Sequence, residues 1–124
     1  MALKTRNVEG QTAVADKYSG SWGEIVQEET RCIHFVRNIH GVEEIWTYPY
    51  EALLRWVFRK YEPEEIEILA GGDTIKLIGY GMEKLLDALE RKRLRRIEQR
   101  MTRFAGAEPD GCYVTEIKIE SLRA

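Results

Sequence analysis

Cysteine and histidine are scarce in this sequence of 124 residues. The two cysteines are Cys32 and Cys112, and the two histidines are His34 and His40. Structural zinc sites usually show closely spaced ligand pairs such as C-x2-C, and no such pair is present. The four residues could still meet in a zinc site, because Cys32 and His34 would share one face of a strand. A Cys–His nucleophile pair would need a third, orienting group, for which there is no local signature. We expect no metal, no cofactor and two small, buried, reduced cysteines.

Long apolar runs are also missing. No run approaches the length of a membrane span, and the first 16 residues lack the apolar core of a signal peptide. With 44% hydrophobic and 32% charged residues, the composition is that of a globular domain. These features predict a soluble, cytoplasmic protein without membrane contact. Large apolar residues are few before residue 24, so we expect 1–23 to be a mobile or partly ordered segment and 24–124 to be a single domain.

The glycines do not form a known nucleotide-binding motif. Gly71-Gly72, Gly79 and Gly81 match neither G-x-x-x-x-G-K-[ST] nor a G-x-G-x-x-G that follows a strand. The stretch Gly79 to Gly81 does precede a predicted helix, where backbone N–H groups can bind an anion. Lys84 is the only cation nearby in sequence, so ordinary turn formation is the better interpretation.

Alternation of apolar and polar residues predicts two hairpins and a final strand. In the first hairpin, Ile33 and Phe35 share one strand face, and Trp46 and Tyr48 share a face of the returning strand. Pro49 ends that strand because proline cannot donate to the ladder. The predicted strands are Arg31–Arg37, Val42–Tyr48, Ile66–Leu69, Thr74–Ile78 and Tyr113–Leu122.

Two further segments are ambiguous. The spacing of apolar residues in 51–61 fits a helix, but aromatic and β-branched residues favour a strand over Leu53–Arg59, which we prefer because its neighbours are strands. A helix is predicted over about 82–92 from apolar residues at helical spacing. It could continue to 104, or 94–99 could form another strand. The strand is slightly favoured, since a 23-residue helix is long for a domain of this size.

Together these elements predict an α+β fold, with a mostly antiparallel sheet of five to seven strands and one main amphipathic helix packed on one face. If the helix covers one face, the aromatic residues of the strands need burial elsewhere, through a curled sheet or a dimer. These residues are Trp46, Tyr48, Trp56 and Phe58.

One further pattern is the order of a hairpin, a Tyr48-Pro49-Tyr50 strand entry, a third strand, and a hairpin that ends in Ile75–Gly79 before the helix. This order, over about Cys32–Ile119, resembles small bacterial domains of unknown function. The resemblance is carried by the hydrophobic pattern. It implies a compact sheet-plus-helix domain and transfers no catalytic residue.

Charge is unevenly distributed around the net value of −2. Residues 1–90 contain 10 Lys and Arg against 16 Asp and Glu, whereas 91–103 contain 7 cations and Glu98 alone. This candidate basic patch could follow a phosphate backbone, although a pI of about 5.8 and the absence of an aromatic residue within the run weigh against nucleic acid. Its members are Arg91, Lys92, Arg93, Arg95, Arg96, Arg100 and Arg103.

A candidate acidic patch consists of Glu62, Glu64, Glu65 and Glu67. Paired carboxylates can perform acid–base chemistry only in a cleft that separates their pKa values, and an acidic turn is usually solvated. The sequence alone does not define a function. We predict a non-enzymatic protein-interaction or assembly module that forms a homo-oligomer or binds a protein partner, because it combines many aromatic residues with complementary charged patches. The alternative is a nucleic-acid-associated protein that binds phosphates through 91–103.

Overall fold

The computed structural model describes residues 22–100 and 111–121, which form eight strands and one α-helix. The helix is α1 (Glu83–Glu90), and a short 3-10 helix at Tyr50–Ala52 joins β3 to β4. No helix in these two ranges is long and apolar enough to cross a membrane. The strands are β1 (Gly23–Ile25), β2 (Cys32–Ile39), β3 (Val42–Pro49), β4 (Leu53–Arg59), β5 (Glu64–Ala70), β6 (Asp73–Tyr80), β7 (Leu94–Glu98) and β8 (Tyr113–Ser121).

The strands form two four-stranded sheets. The first has the order β1-β7-β2-β3, in which β2 and β7 are parallel, and the second has the fully antiparallel order β4-β5-β6-β8. The α+β class is therefore confirmed, but a single sheet of five to seven strands is not. The chain changes sheets just after Pro49, which ends β3, and the carbonyl oxygen of Ala52 then accepts a bond from the N–H of Gly71 (3.0 Å) beside β5.

The core lies between the sheets and under α1. Buried apolar side chains from both sheets join Leu85, Ala88 and Leu89 of the helix in one cluster. Tyr48 is buried, and three other aromatic side chains pack against this cluster while remaining partly exposed; they are Trp46, Trp56 and Phe58. Packing of the two sheets on each other therefore supplies burial for the aromatic residues of both, so they give no separate reason to expect a dimer.

Polar contacts also join the sheets. The hydroxyl of Tyr48 in β3 donates to Oδ2 of Asp73 in β6 (2.7 Å). On the far side, Nη1 of Arg37 in β2 donates to the carbonyl oxygen of Ile117 in β8 (3.3 Å). The side chain of Arg37 is largely buried and also pairs with Glu44, so its charge is compensated within the fold.

Helix α1 is shorter than predicted, and the preferred strand follows it. Oε1 of Glu64 accepts a hydrogen bond from the backbone N–H of Met82 (2.9 Å), which caps the N-terminus of the helix. Lys92 has a positive φ of 60°, which ends the helical path. Residues 94–98 then pair with β1 and β2, so extension of the helix to 104 is wrong, and residues 101–104 lie outside the described ranges. The preferred strand over Leu53–Arg59 is confirmed as β4.

Three strands contain an irregularity in their pairing. In β7, β8 and β4 one residue has no direct partner, namely Arg95, Thr115 and Leu54. Because of the extra residue, two side chains that lie three positions apart across it point to the same face of the sheet. Val114 and Ile117 are consequently both buried, which strict alternation along β8 would not allow.

Tyr50 makes the fold sensitive to high pH. Its buried hydroxyl donates to the carbonyl oxygen of Leu94 (2.5 Å), and burial raises the pKa of this phenol. The pKa of Tyr48 is raised in the same way by burial and then by its bond to Asp73. The pKa values of both phenols in the folded protein lie above the unfolded value of about 10. Their contribution to the free energy of unfolding is therefore complete below about pH 10 and is lost as the pH rises through the folded pKa values.

We therefore expect the free energy of unfolding to fall as the pH rises above about 10. Urea titrations followed by circular dichroism, together with tyrosinate absorbance, would measure this effect. Tyr50→Phe should cost about 1 kcal/mol at neutral pH and reduce the alkaline loss. An identical alkaline loss in wild type and Tyr50→Phe would contradict the assignment to Tyr50.

Candidate functional site

The candidate basic patch is divided between a turn and a strand. Arg91 pairs with Asp87 (Nε–Oδ1 3.2 Å), and Lys92 occupies the turn after α1. In β7, Arg95 pairs with Glu24 (3.2 Å), while Arg96 pairs with Glu98 (2.7 Å) as well as Glu24 (3.4 Å). Arg103 lies outside the described residues. Because β7 is a strand, the cations do not follow one helical stripe, and several are compensated by carboxylates. Binding of nucleic acid through 91–103 stays a prediction that this pairing disfavours.

Most of the candidate acidic patch is also used inside the fold. Arg59 pairs with both Glu65 and Glu67 through Nη1, each at 2.7 Å, and the bond to Glu67 is the main cause that raises the pKa of the guanidinium. Glu64 caps α1, whereas Glu62 is exposed at the preceding turn. Among the described residues, most of the acidic patch and several members of the basic patch are therefore compensated within the fold.

The glycines before α1 allow close backbone packing. A Cβ at Gly79 would overlap the carbonyl oxygen of Tyr113, and one at Gly81 would overlap that of Gly111. Gly81 also has a positive φ of 64°. Since the N–H of Met82 is already bound by Glu64, these contacts explain the glycines without an anion.

The cysteine and histidine residues do not form a metal-binding group in the described ranges. Cys112 is buried, as predicted, but Cys32 is only half-buried. Nδ1 of His34 lies 2.7 Å from the hydroxyl oxygen of Thr47 on the neighbouring strand, within hydrogen-bond distance. No group of three or more His, Cys, Asp or Glu side chains in 22–100 and 111–121 has an arrangement suited to a metal ion.

The sheet edges differ in how they are covered. The edge strand β8 is covered by Arg100, whose N–H donates to the carbonyl oxygen of Val114 (2.8 Å), and by Gln99 and Arg37, which bond to the backbone of Ile117. The edge strand β1 has only three residues. Strands β3 and β4 have eight and seven residues, and each pairs with a strand on one side only among the described residues. We call these two strands the β3–β4 edge.

Exposed apolar side chains concentrate at this edge. Among the described residues, every large hydrophobic side chain that is exposed lies between positions 39 and 61. The most exposed are on the edge strands themselves or at their ends, with Val42 and Leu54 each 63% exposed. The full set is Ile39, Val42, Ile45, Leu54, Val57 and Tyr61. A strand with open backbone groups and apolar side chains is a ready site for pairing with another chain.

The charges on the two edge strands are of opposite sign. Strand β3 presents exposed Glu43 beside Glu44, whose pKa is lowered by hydrogen bonds from Trp46 and then Arg37. Strand β4 presents exposed Arg55 and the half-buried Arg59. The β3–β4 edge therefore combines an acidic strand with a basic one.

The aliphatic residues of this edge were not identified as site residues from the sequence. The alternation of β3 places Ile45 opposite to Trp46, so apolar residues on both faces were a readable signal. Which strands lie at an edge depends on strand order, which local patterns do not encode.

No family model, no curated protein and no solved structure matches this chain. The resemblance to small bacterial domains therefore stays a prediction.

Proposed function

We propose that this domain is a non-enzymatic protein-interaction module that assembles with a second copy of itself through the β3–β4 edge. The observation that carries the proposal is that, within 22–100 and 111–121, the exposed large apolar side chains are restricted to positions 39–61, on or beside β3 and β4. Apolar residues scattered singly over a surface are ordinary, whereas their concentration on open strands favours an interface.

Backbone pairing and charge both support a second copy as the partner. An extended strand added to an open edge satisfies its free N–H and C=O groups, and side chains then set specificity. When β3 of one copy lies beside β4 of the other, Glu43 approaches a strand that carries Arg55. Because each copy has both strands, this contact can form twice around a two-fold axis.

We expect the protein to elute as a dimer at moderate salt, with the dimer fraction rising with protein concentration. Ile45→Lys and Leu54→Lys should each weaken association at least about tenfold, since each places an ammonium group in an apolar contact. Multi-angle light scattering over a concentration series would measure this. Both side chains are largely exposed, so circular dichroism should show unchanged folding.

Glu90→Gln is the matched control, because it also raises the net charge by one unit, by removing a carboxylate, but lies at the exposed end of α1. This variant should associate as the wild type does. A wild-type protein that remains monomeric at every salt and protein concentration would refute the proposal. Equal weakening by Glu90→Gln would instead assign the effect to net charge and would equally refute the edge.

A further inference from the structure

The charged side chains of β3 and β4 differ in whether the fold compensates them. In β3, Glu44 pairs with Arg37 (Nε–Oε1 2.9 Å). In β4, Arg59 pairs with two carboxylates of the neighbouring strand β5. The other two charged side chains, Glu43 and Arg55, are exposed, and neither forms an ion pair with any of the described residues. Each strand of the β3–β4 edge therefore keeps one such charge, which is negative on β3 and positive on β4.

The paired strands place no counter-charge opposite these two residues. Glu43 lies opposite Asn38 of β2, and Arg55 lies opposite Leu69 of β5. Opposite charges that face each other on adjacent strands stabilise a sheet, and like charges destabilise it. Among the described residues β3 and β4 each pair on one side only, so a counter-charge on the other side has to come from an added strand.

Each of these charges has an exposed apolar neighbour on the same strand face. Alternation places Ile45 on the face of Glu43, and Val57 on the face of Arg55. Ile45 is 59% exposed and Val57 is 40% exposed. Burial of these two side chains in a contact removes water from beside the charges, which strengthens attraction or repulsion between them. A charge pair at this edge should therefore affect association more than an ion pair on an open surface does.

We infer that the β3–β4 edge selects its partner strand by charge, with Glu43 of one copy paired to Arg55 of the other. The inference rests on the proposed self-association and adds which strands meet. Pairing of β3 with β3 would join two acidic strands, and pairing of β4 with β4 would join two basic strands. Repulsion between like charges disfavours both arrangements. The strand that fits β3 carries a cation beside an apolar residue, and β4 of a second copy has this pattern.

The test exchanges the two charges between variants of the full chain. Glu43→Lys places a cation against Arg55, and Arg55→Glu places a carboxylate against Glu43. Each variant alone should dimerise at least about tenfold more weakly than the wild type, because the contact forms twice in the dimer. Mixed in equal amounts, the two variants should form a heterodimer about as stable as the wild-type dimer, since both contacts again join opposite charges. Native mass spectrometry with one variant isotopically labelled would measure this.

The salt dependence of association gives a second measurement. A rise in ionic strength should weaken the wild-type dimer and strengthen the self-association of each single variant, because screening reduces attraction in the first case and repulsion in the second. A purely structural role of Glu43 or Arg55 would not reverse the sign of this dependence. Light scattering at several salt concentrations would show it, and circular dichroism would confirm that the variants are folded.

Glu90→Lys is the matched control, because it makes the same charge change as Glu43→Lys at the exposed end of α1. It should self-associate as the wild type does, and mixing it with Arg55→Glu should give fewer heterodimers than mixing Glu43→Lys with Arg55→Glu. Equal heterodimer formation in the two mixtures would refute selection by charge. If Ile45→Lys weakens the dimer but Glu43→Lys and Arg55→Glu do not, this inference fails and the edge remains the interface. A wild type that stays monomeric refutes both.

Discussion

Replacing Trp22 with alanine should lower the free energy of unfolding by about 3–5 kcal/mol. Trp22 is only 1% exposed and is among the largest fully buried side chains. Its carbonyl oxygen accepts from the N–H of Glu98 (2.7 Å), and its ring lies beside Lys84 of α1. Truncation would leave a cavity where β1, β7 and the helix meet, which costs both transfer and cavity free energy. Urea unfolding followed by circular dichroism would measure the loss.

Tyr61→Ala provides the control for this aromatic truncation. Tyr61 is 60% exposed, so truncating this aromatic side chain should alter the stability of the monomer by no more than about 0.5 kcal/mol. A loss below about 1 kcal/mol for Trp22→Ala would contradict its place in the core.

The domain boundary predicted at residue 24 stays a prediction. Two residues before it nevertheless belong to the fold, Trp22 in the core and Gly23 in β1.

Gly79→Ala should destabilise the fold by about 3 kcal/mol or more, the upper range for forced overpacking. The added Cβ would overlap the carbonyl oxygen of Tyr113 and lie 2.9 Å from the Cα of Val114. Both obstacles are backbone atoms of β8, so relief requires β6 and β8 to separate where their register shifts. Thermal and urea unfolding would show the loss, and amide exchange should increase first along β8.

Gly71→Ala separates this steric effect from the general cost of losing a glycine. Gly71 has a positive φ of 61° in the β5–β6 turn, but a Cβ there meets no atom within 4 Å. Only the left-handed backbone penalty of about 1 kcal/mol applies. Equal losses in the two variants would show that close packing of β6 on β8 is not what requires Gly79.

Local patterns were sufficient for most of the elements. Alternation located β2, β3, β5, β6 and β8, because one face of each strand is buried and the other is more exposed. The turn between β5 and β6 and the apolar face of α1 were also predictable, because the residues that indicate them lie close together in the chain. For β4 and β7, a strand was only the preferred one of two alternatives. The preference was based on the neighbouring strands for β4 and on the unusual length of the alternative helix for β7.

The ambiguity at β7 has a physical cause. The extra residue Arg95 allows Leu94 and Ile97 to point into the core together, and this spacing of three is also helical. Sequence periodicity cannot distinguish a helix from a strand with such an irregularity. Pairing of the segment with β1 and β2 decides between them.

The amino-acid sequence was therefore enough for the α+β class, the hairpins and the amphipathic helix, because these depend on residues close together in the chain. The division into two sheets depends on contacts between distant segments, such as Tyr48 with Asp73. The same is true of the charges: Glu24 is distant in sequence from Arg95 and Arg96, yet pairs with both. In the part of the chain that the structure describes, tertiary contacts thus compensate much of the charge asymmetry and leave β3 and β4 each paired on one side only. Neither ion-pair partners nor strand order is encoded in neighbouring residues.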